Sequence, residues 1–153
     1  MHYEVTVRSV PMRQLAVVQD RLLWSELSTK LIPLLDRVYL AVRSGRVVQS
    51  GQNIFVYRDG RRDGVSVAVG VEVAQPFSPV DDVVCSETPA GEVAMTTHVG
   101  PYSRLGDAHG AVISWCSEHA RTRAGVWWEI YGDWEADPAR LRTEVYYSVL
   151  TGG

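Results

Sequence analysis

Apolar and polar positions alternate with a period of two through residues 3–8 (YEVTVR), and after the turn-like Ser9-Val10-Pro11 an apolar stretch fills residues 15–18. That pattern predicts strand, turn, strand. Over residues 28–43 the period lengthens: Leu31, Leu35, Val38 and Val42 fall on one helical face, with Lys30, Asp36, Arg37 and Arg43 elsewhere. An amphipathic helix closed near Gly45 is predicted. Proline is tolerated in a first helical turn, so Pro33 makes Ser28 or Thr29 the expected cap and leaves residues 22–27 as a separate turn. Residues 53–57 (NIFVY) and 65–73 (VSVAVGVEV), with β-branched side chains at alternate positions, read as a hairpin around residues 58–64.

Residues 76–82 form a connector rich in turn formers, with Pro76, Pro79, Asp81 and Asp82. Beyond it the same order of elements returns. Residues 83–87 and 92–98 read as strands around Thr88-Pro89-Ala90-Gly91, and Gly100-Pro101 starts a helix expected to run to about residue 123. Its apolar face carries Leu105, Ala108, Val112, Trp115, Cys116 and His119. Residues 126–131 (VWWEIY) and 143–150 (TEVYYSVL) make a second hairpin, whose turn over residues 132–140 contains Asp137-Pro138.

The two halves can be laid over each other. Residues 10–19 resemble 88–97, residues 54–59 (IFVYRD) resemble 128–133 (WEIYGD), and Val71-Glu72-Val73 matches Thr143-Glu144-Val145. The chain therefore reads as one domain over residues 1–153 with pseudo-repeats of about 1–75 and 83–150, each a β-β-α-β-β unit. Such a unit cannot bury its helix and both faces of its sheet alone. The expected architecture is α+β: two units side by side in a continuous antiparallel sheet, both helices on one face, and a pocket at the pseudo-twofold axis.

Composition narrows the function. A length of 153 residues, 46% apolar and 22% charged, fits one globular domain and excludes a disordered or linker role. Fifteen Lys and Arg against eighteen Asp and Glu give a net charge of -3, so no general attraction draws the protein to nucleic acid. The one basic run, residues 58–62 (RDGRR), reads as a solvated hairpin tip, and no direct nucleic-acid partner is expected. No apolar run approaches the roughly 20 residues that span a bilayer, and the alternating N-terminus does not present a signal core. A cytoplasmic protein with no membrane association is expected. Cys85 and Cys116 lie in no CxxC or zinc-ligand pattern and are expected to be reduced core thiols, with no metal and no cofactor.

Candidate chemistry lies in the second half. Five Trp and seven Tyr stand against two Phe, and Trp127, Trp128, Tyr131, Trp134, Tyr146 and Tyr147 crowd into the last hairpin. Tyr and Trp join a large apolar face to a polar edge, which suits a pocket for flat ligands. By alternation Trp127 and Trp128 point opposite ways, one to the core and the other to a cleft. Glu144 shares its strand face with Tyr146 and Ser148, joining a carboxylate to a phenol. Glu129 is a second strand carboxylate, and Glu72 holds the place in the first half that matches Glu144. His98, at a strand-to-helix junction before Val99-Gly100-Pro101-Tyr102, is expected to fix that turn by a hydrogen bond. No GxSxG, Walker loop, HExxH or GxGxxG occurs.

The run Pro89-Ala90-Gly91-Glu92-Val93-Ala94, then His98-Val99-Gly100-Pro101-Tyr102, a helix with Trp115, Trp128-Glu129-Ile130-Tyr131, Asp137-Pro138 and Thr143-Glu144-Val145-Tyr146 resembles the GyrI-like small-molecule-binding domain. The duplicated order and the length match over nearly the whole chain. The resemblance implies a duplicated α+β module of the SHS2-like kind with a pocket at the pseudo-twofold axis. Related domains sense drugs in bacterial multidrug-responsive regulators of the MerR and AraC types. There a glutamate in the last strand lies at the base of an aromatic pocket for lipophilic cations, and Glu144 is the position that matches it here. Other relatives stand alone: one inhibits DNA gyrase, and one branch hydrolyses cyclopropane-bearing genotoxins with pocket acids and aromatics. No helix-turn-helix segment is found, since the domain takes up all 153 residues.

The leading expectation is a standalone protein that senses or sequesters hydrophobic, cationic, aromatic small molecules, with Glu144, Trp127, Trp128, Tyr131, Tyr146, Tyr102 and Tyr39 as ligand contacts. The runner-up is a hydrolase of genotoxic electrophiles using Glu144 or Glu129 with Tyr146 or Tyr131. A gyrase-binding or other protein-binding module is third.

Overall fold

The computed structural model describes residues 2–151; Met1, Gly152 and Gly153, which fall within the expected 1–153 domain, lie outside the described residues. The strands are β1 (Thr6–Val10), β2 (Gln14–Leu23), β3 (Gln49–Arg58), β4 (Gly64–Val73), β5 (Val84–Glu87), β6 (Gly91–Val99), β7 (Arg123–Tyr131) and β8 (Arg142–Val149). The helices are α1 (Leu27–Arg43) and α2 (Leu105–Glu118). Short 3-10 turns cover Trp24–Glu26, Tyr102–Arg104 and Pro138–Arg140. The fold is α+β, with eight strands in antiparallel pairing and two helices, and the β-β-α-β-β order occurs twice.

Two compact units divide the chain at positions different from the pseudo-repeats: residues 12–89 form one, and residues 2–11 with 90–151 form the other among the described residues. Within the first, the strand order is β5-β2-β4-β3; within the second it is β1-β6-β8-β7. The same order arises in both because each repeat gives up its first strand. β1 pairs with β6, from Thr6↔Met95 to Val10↔Gly91, and β5 pairs with β2, from Gln14↔Glu87 to Val17↔Val84. The expected strand-turn-strand at the N-terminus is thus not a hairpin. β2 is bonded to β4 on one side and to β5 on the other, which leaves it no edge for β1.

Helix α2 packs on the sheet of its own unit through Leu105, Ala108, Val112 and Cys116, over Ala94 of β6 and Val145, Tyr147 and Val149 of β8. Odd-numbered residues of β8 therefore face α2, and Glu144, Tyr146 and Ser148 face away. The helix is shorter than predicted at both ends. A 3-10 turn occupies residues 102–104, and the left-handed backbone of Ala120 (φ 53°) stops the helix after Glu118. Trp115 is half-buried and His119 exposed, so the apolar face ends at Cys116.

Helix α1 buries Leu34, Leu35, Val38 and Ala41, with Leu31 and Val42 only half-buried at its flanks. It starts at Leu27, ahead of the expected Ser28 or Thr29 cap, which places Pro33 in the interior. Pro33 faces solvent, where water can take the carbonyl its ring leaves unbonded. The first turn is held by Glu26, whose carboxylate accepts from the Leu23 amide at 2.8 Å and pairs with Lys30.

Gly70 of β4 stands opposite Val17, and a Cβ there would lie 1.7 Å from the Ala16 carbonyl oxygen. No side chain fits without moving β2 from β4. Gly110, in the exposed interior of α2, has nothing within 4 Å of such an added Cβ. Gly70→Ala is expected to destabilise by about 3 kcal/mol or more, as overpacking against backbone does. Gly110→Ala is expected to stabilise by about 0.5–1 kcal/mol through reduced unfolded-chain freedom. Urea midpoints of the two variants check both signs; a Gly70→Ala midpoint equal to wild type would contradict the close approach.

Candidate functional site

Strand β7 pairs with β8 in the register Trp127↔Tyr147, Glu129↔Val145 and Tyr131↔Thr143, so Trp127, Glu129 and Tyr131 share the side of the sheet that faces α2. Here the sequence places a carboxylate under a helix, and Glu129 is only 5% exposed. Burying a carboxylate costs several kcal/mol unless donors or a cation compensate. The Tyr131 hydroxyl donates to Oε1 at 2.6 Å, and His109 of α2 reaches Oε2 through Nε2 at 2.7 Å. His109 Nδ1 meets the Tyr147 hydroxyl at 2.7 Å.

In the neutral imidazole these contacts select one tautomer. With Glu129 accepting, Nε2 of His109 carries the hydrogen and Nδ1 is free to accept from Tyr147. With the imidazole neutral, donation runs from Tyr147 through the ring to Glu129. Burial pushes the Tyr147 phenol well above its ordinary range, with the Glu129 charge adding to the effect and Arg123 opposing it, which keeps the phenol a donor. Aromatic rings frame the group: Trp127 stacks on Tyr147 at 5.9 Å between centroids, and Tyr102 meets Tyr131 edge-on at 5.6 Å. Thr143, opposite Tyr131 in register, holds a buried hydroxyl oxygen with no hydrogen-bond partner among the described residues.

The other face of the same strands carries a second group. Trp128, 2% exposed, stacks on Tyr146 at 5.4 Å, and this resolves the tryptophan pair: Trp128 is core and Trp127 half-buried. The Tyr146 hydroxyl donates to Glu144 Oε1 at 3.0 Å and accepts from Arg8 at 3.2 Å. Burial raises the Tyr146 phenol, Glu144 raises it further, and Arg8 pulls it down. Glu144 is half-buried.

The residues singled out from the sequence thus fall into separate places. Trp127, Tyr131 and Tyr102 gather with Glu129. Trp128, Tyr146 and Glu144 lie on the opposite face, and the shared face of Glu144 and Tyr146 is as read from alternation. Tyr39 belongs to the unit of residues 12–89, where its hydroxyl donates to Asn53 and accepts from Gln49 at 3.2 Å. Glu72, the counterpart of Glu144, is bound there by Arg13 at 3.0 Å. His98 does fix its turn, through Nε2 to the Pro101 carbonyl at 2.9 Å, and Tyr3 donates to its Nδ1 at 2.8 Å.

His109 was absent from the predicted set. Its signal was there, since it follows Ala108 and precedes Val112 by three in the stripe 105-108-112-116, where a helix faces its sheet. Cys116 is a core thiol raised by burial, whereas Cys85 is only half-buried, its sulfur 3.1 Å from both the amide and the carbonyl of Phe77. Among the described residues no group of three or more His, Cys, Asp or Glu side chains is arranged to hold a metal, and no helix is long and apolar enough to cross a membrane.

Comparison with solved structures gives the same fold at low identity. The C-terminal domain of EcmrR superposes with a TM-score of 0.75 at 18% identity, covering 98% of this chain and 99% of that one. SAV2435 bound to tetraphenylphosphonium matches with a TM-score of 0.69 at 11% identity, over 99% and 95%. A hydrolase from Listeria innocua matches with a TM-score of 0.59 at 12% identity, over 96% and 92%. No curated protein sequence matches the chain. The GyrI-like small molecule binding domain profile matches residues 4–150, nearly the full length. The chain belongs to the GyrI-like small-molecule-binding domain family.

Proposed function

We propose that this protein senses or sequesters hydrophobic cations, and that Glu129 takes the role which the family resemblance assigned to Glu144. The observation that carries the proposal is a carboxylate 5% exposed on the face that also bears Trp127, Tyr131 and Tyr102. A delocalised cation is weakly hydrated, so little is lost when it leaves water, and its charge compensates the buried carboxylate. Aromatic faces add cation–π attraction of about 0.5–2 kcal/mol each. The similarly folded SAV2435 bound to tetraphenylphosphonium supports a ligand of this class. Glu144 has a competing neighbour in the Arg8–Tyr146 pair, which already supplies positive charge to that face.

Hydrolysis is the second reading, favoured by one arrangement. His109 on Glu129, with two phenols in contact, resembles a base and its orienting partner, and a hydrolase shares the fold. A water activated by Glu129 or His109 would attack a strained electrophile while Tyr131 steadies the leaving group.

Tryptophan fluorescence titration with tetraphenylphosphonium and the neutral, similarly shaped triphenylphosphine oxide tests the charge role. Glu129→Gln is expected to weaken the cation about tenfold or more, as loss of one charged contact does, with less than about threefold change for the oxide. Glu144→Gln is expected to leave both within about threefold. Equal loss of cation and oxide in Glu129→Gln would remove that residue from charge recognition. Incubation with a cyclopropane electrophile, followed by mass spectrometry, is expected to give no water adduct beyond the rate in buffer. An adduct formed faster by wild type and not by Glu129→Gln would establish the hydrolytic reading instead.

A further inference from the structure

We infer that His109 is the positioning residue of the Glu129 carboxylate and that its protonation state sets whether the site accepts a cation, so that a bound cation and a proton on His109 exclude one another. The inference rests on the proposed reading of Glu129 as the cation-binding group.

Geometry singles out this imidazole. His109 bridges Glu129 Oε2 and the Tyr147 hydroxyl, both at 2.7 Å, and in the neutral form these contacts put the hydrogen on Nε2. In that form it contributes a donor and no charge, and Glu129 presents its negative charge to a ligand. When a proton adds to Nδ1, the Tyr147 hydroxyl can turn from donor to acceptor without losing the contact, because a phenol oxygen does both. The imidazolium then forms an ion pair with Glu129 inside the site. A second positive charge would meet a neutral pair instead of an anion.

The remaining titratable groups around His109 do not duplicate this change. From β7 come Glu129 itself and the Tyr131 phenol, with Arg123 at the strand's start; from β8 comes Tyr147, which burial keeps protonated. On α2, Cys116 is held as a thiol by burial, and Asp107 is paired with Arg104 at the first turn. β6 offers Ala94 and Thr96 toward the helix, the latter donating to the Glu4 carbonyl. From the segment ahead of β1, Tyr3 is engaged with His98. An imidazole is the side chain whose charge ordinarily changes between about pH 5 and 8.

The sign follows from linkage. Below the imidazole's titration the free protein carries the extra proton, which must leave before the cation binds, so affinity falls as pH falls, by on the order of tenfold per pH unit at the limit. Fluorescence titrations with tetraphenylphosphonium and triphenylphosphine oxide from pH 5 to 8 test it, on wild type and on His109→Gln, which keeps an N–H donor for Glu129 but cannot charge. For wild type, cation affinity is expected to drop about tenfold or more across the range, with the oxide within about twofold. His109→Gln, whatever its affinity at pH 8, is expected to vary less than about twofold with the cation.

Imidazole NMR titration of wild type supplies a second readout that needs no variant. The His109 resonance is expected to titrate at lower pH in the presence of tetraphenylphosphonium, with His98 and His119 unmoved. A flat wild-type cation profile, a steep profile retained in His109→Gln, or a His109 titration insensitive to ligand would overturn the inference. Failure of the underlying reading shows separately at pH 8: no cation binding there, or Glu129→Gln binding the cation as wild type does, overturns both.

Discussion

Close packing of α2 on its sheet is the constraint on which the site depends. Ala108 of the helix and Ala94 of β6 are both fully buried in one cluster, and side chains this small let helix and sheet approach. The approach brings the His109 ring within hydrogen-bonding distance of two different strands at once, to Tyr147 on β8 and Glu129 on β7. A bulkier residue at either alanine would lift the helix. The imidazole would then lose its contacts, and Glu129 would lose its His109 contact while staying under the helix. Apolar packing thus determines how a buried charge is compensated, and the electrostatics of the site follow from the helix stripe.

That dependence explains why the site mixes groups of opposite habit. Tyr147 is at once part of the apolar cluster beneath α2 and the hydrogen-bond partner of His109, and its ring carries the Trp127 stack. Burial makes its phenol reluctant to ionise, so the same desolvation that accompanies core packing keeps a hydroxyl hydrogen on Tyr147 beside His109. Oriented hydrogen-bonding groups around one carboxylate make a low-reorganisation environment.

Much of this was legible in the sequence, and the rest was hidden for physical reasons. Period-two and period-3.6 patterns located every strand and both helices, and the internal similarity gave the doubled β-β-α-β-β order. Alternation correctly put Glu144 with Tyr146 and set Trp127 opposite Trp128. It could not say which side of the strand a helix would cover, and that side decides whether Glu129 or Glu144 is the enclosed acid. The cap of α1 was misplaced because Pro33 was assumed to need a first turn, while its position on the solvent side lets the helix run past it. The exchange of first strands was invisible because pairing partners are set by free edges, and β2 fills both of its edges with β4 and β5. His109 looked isolated along the chain since its partners stand on strands far away in sequence.

The exchanged first strand also dictates a temporal order. During synthesis the segment of residues 6–10 emerges well ahead of its partner edge, which does not exist until residues 91–95 have left the ribosome. At a translation rate of roughly 5–20 residues per second the segment waits for seconds, while residues 12–89 have all their own strand pairs available. Closing so long a loop adds little to the equilibrium but slows the search for the final pairing. Arg8 and Ser9, exposed in the finished strand, keep the waiting segment polar enough to discourage pairing with another nascent chain. The unit that carries the Glu129 group is consequently completed after residues 12–89 have all their own strands, when β1 meets the edge of β6.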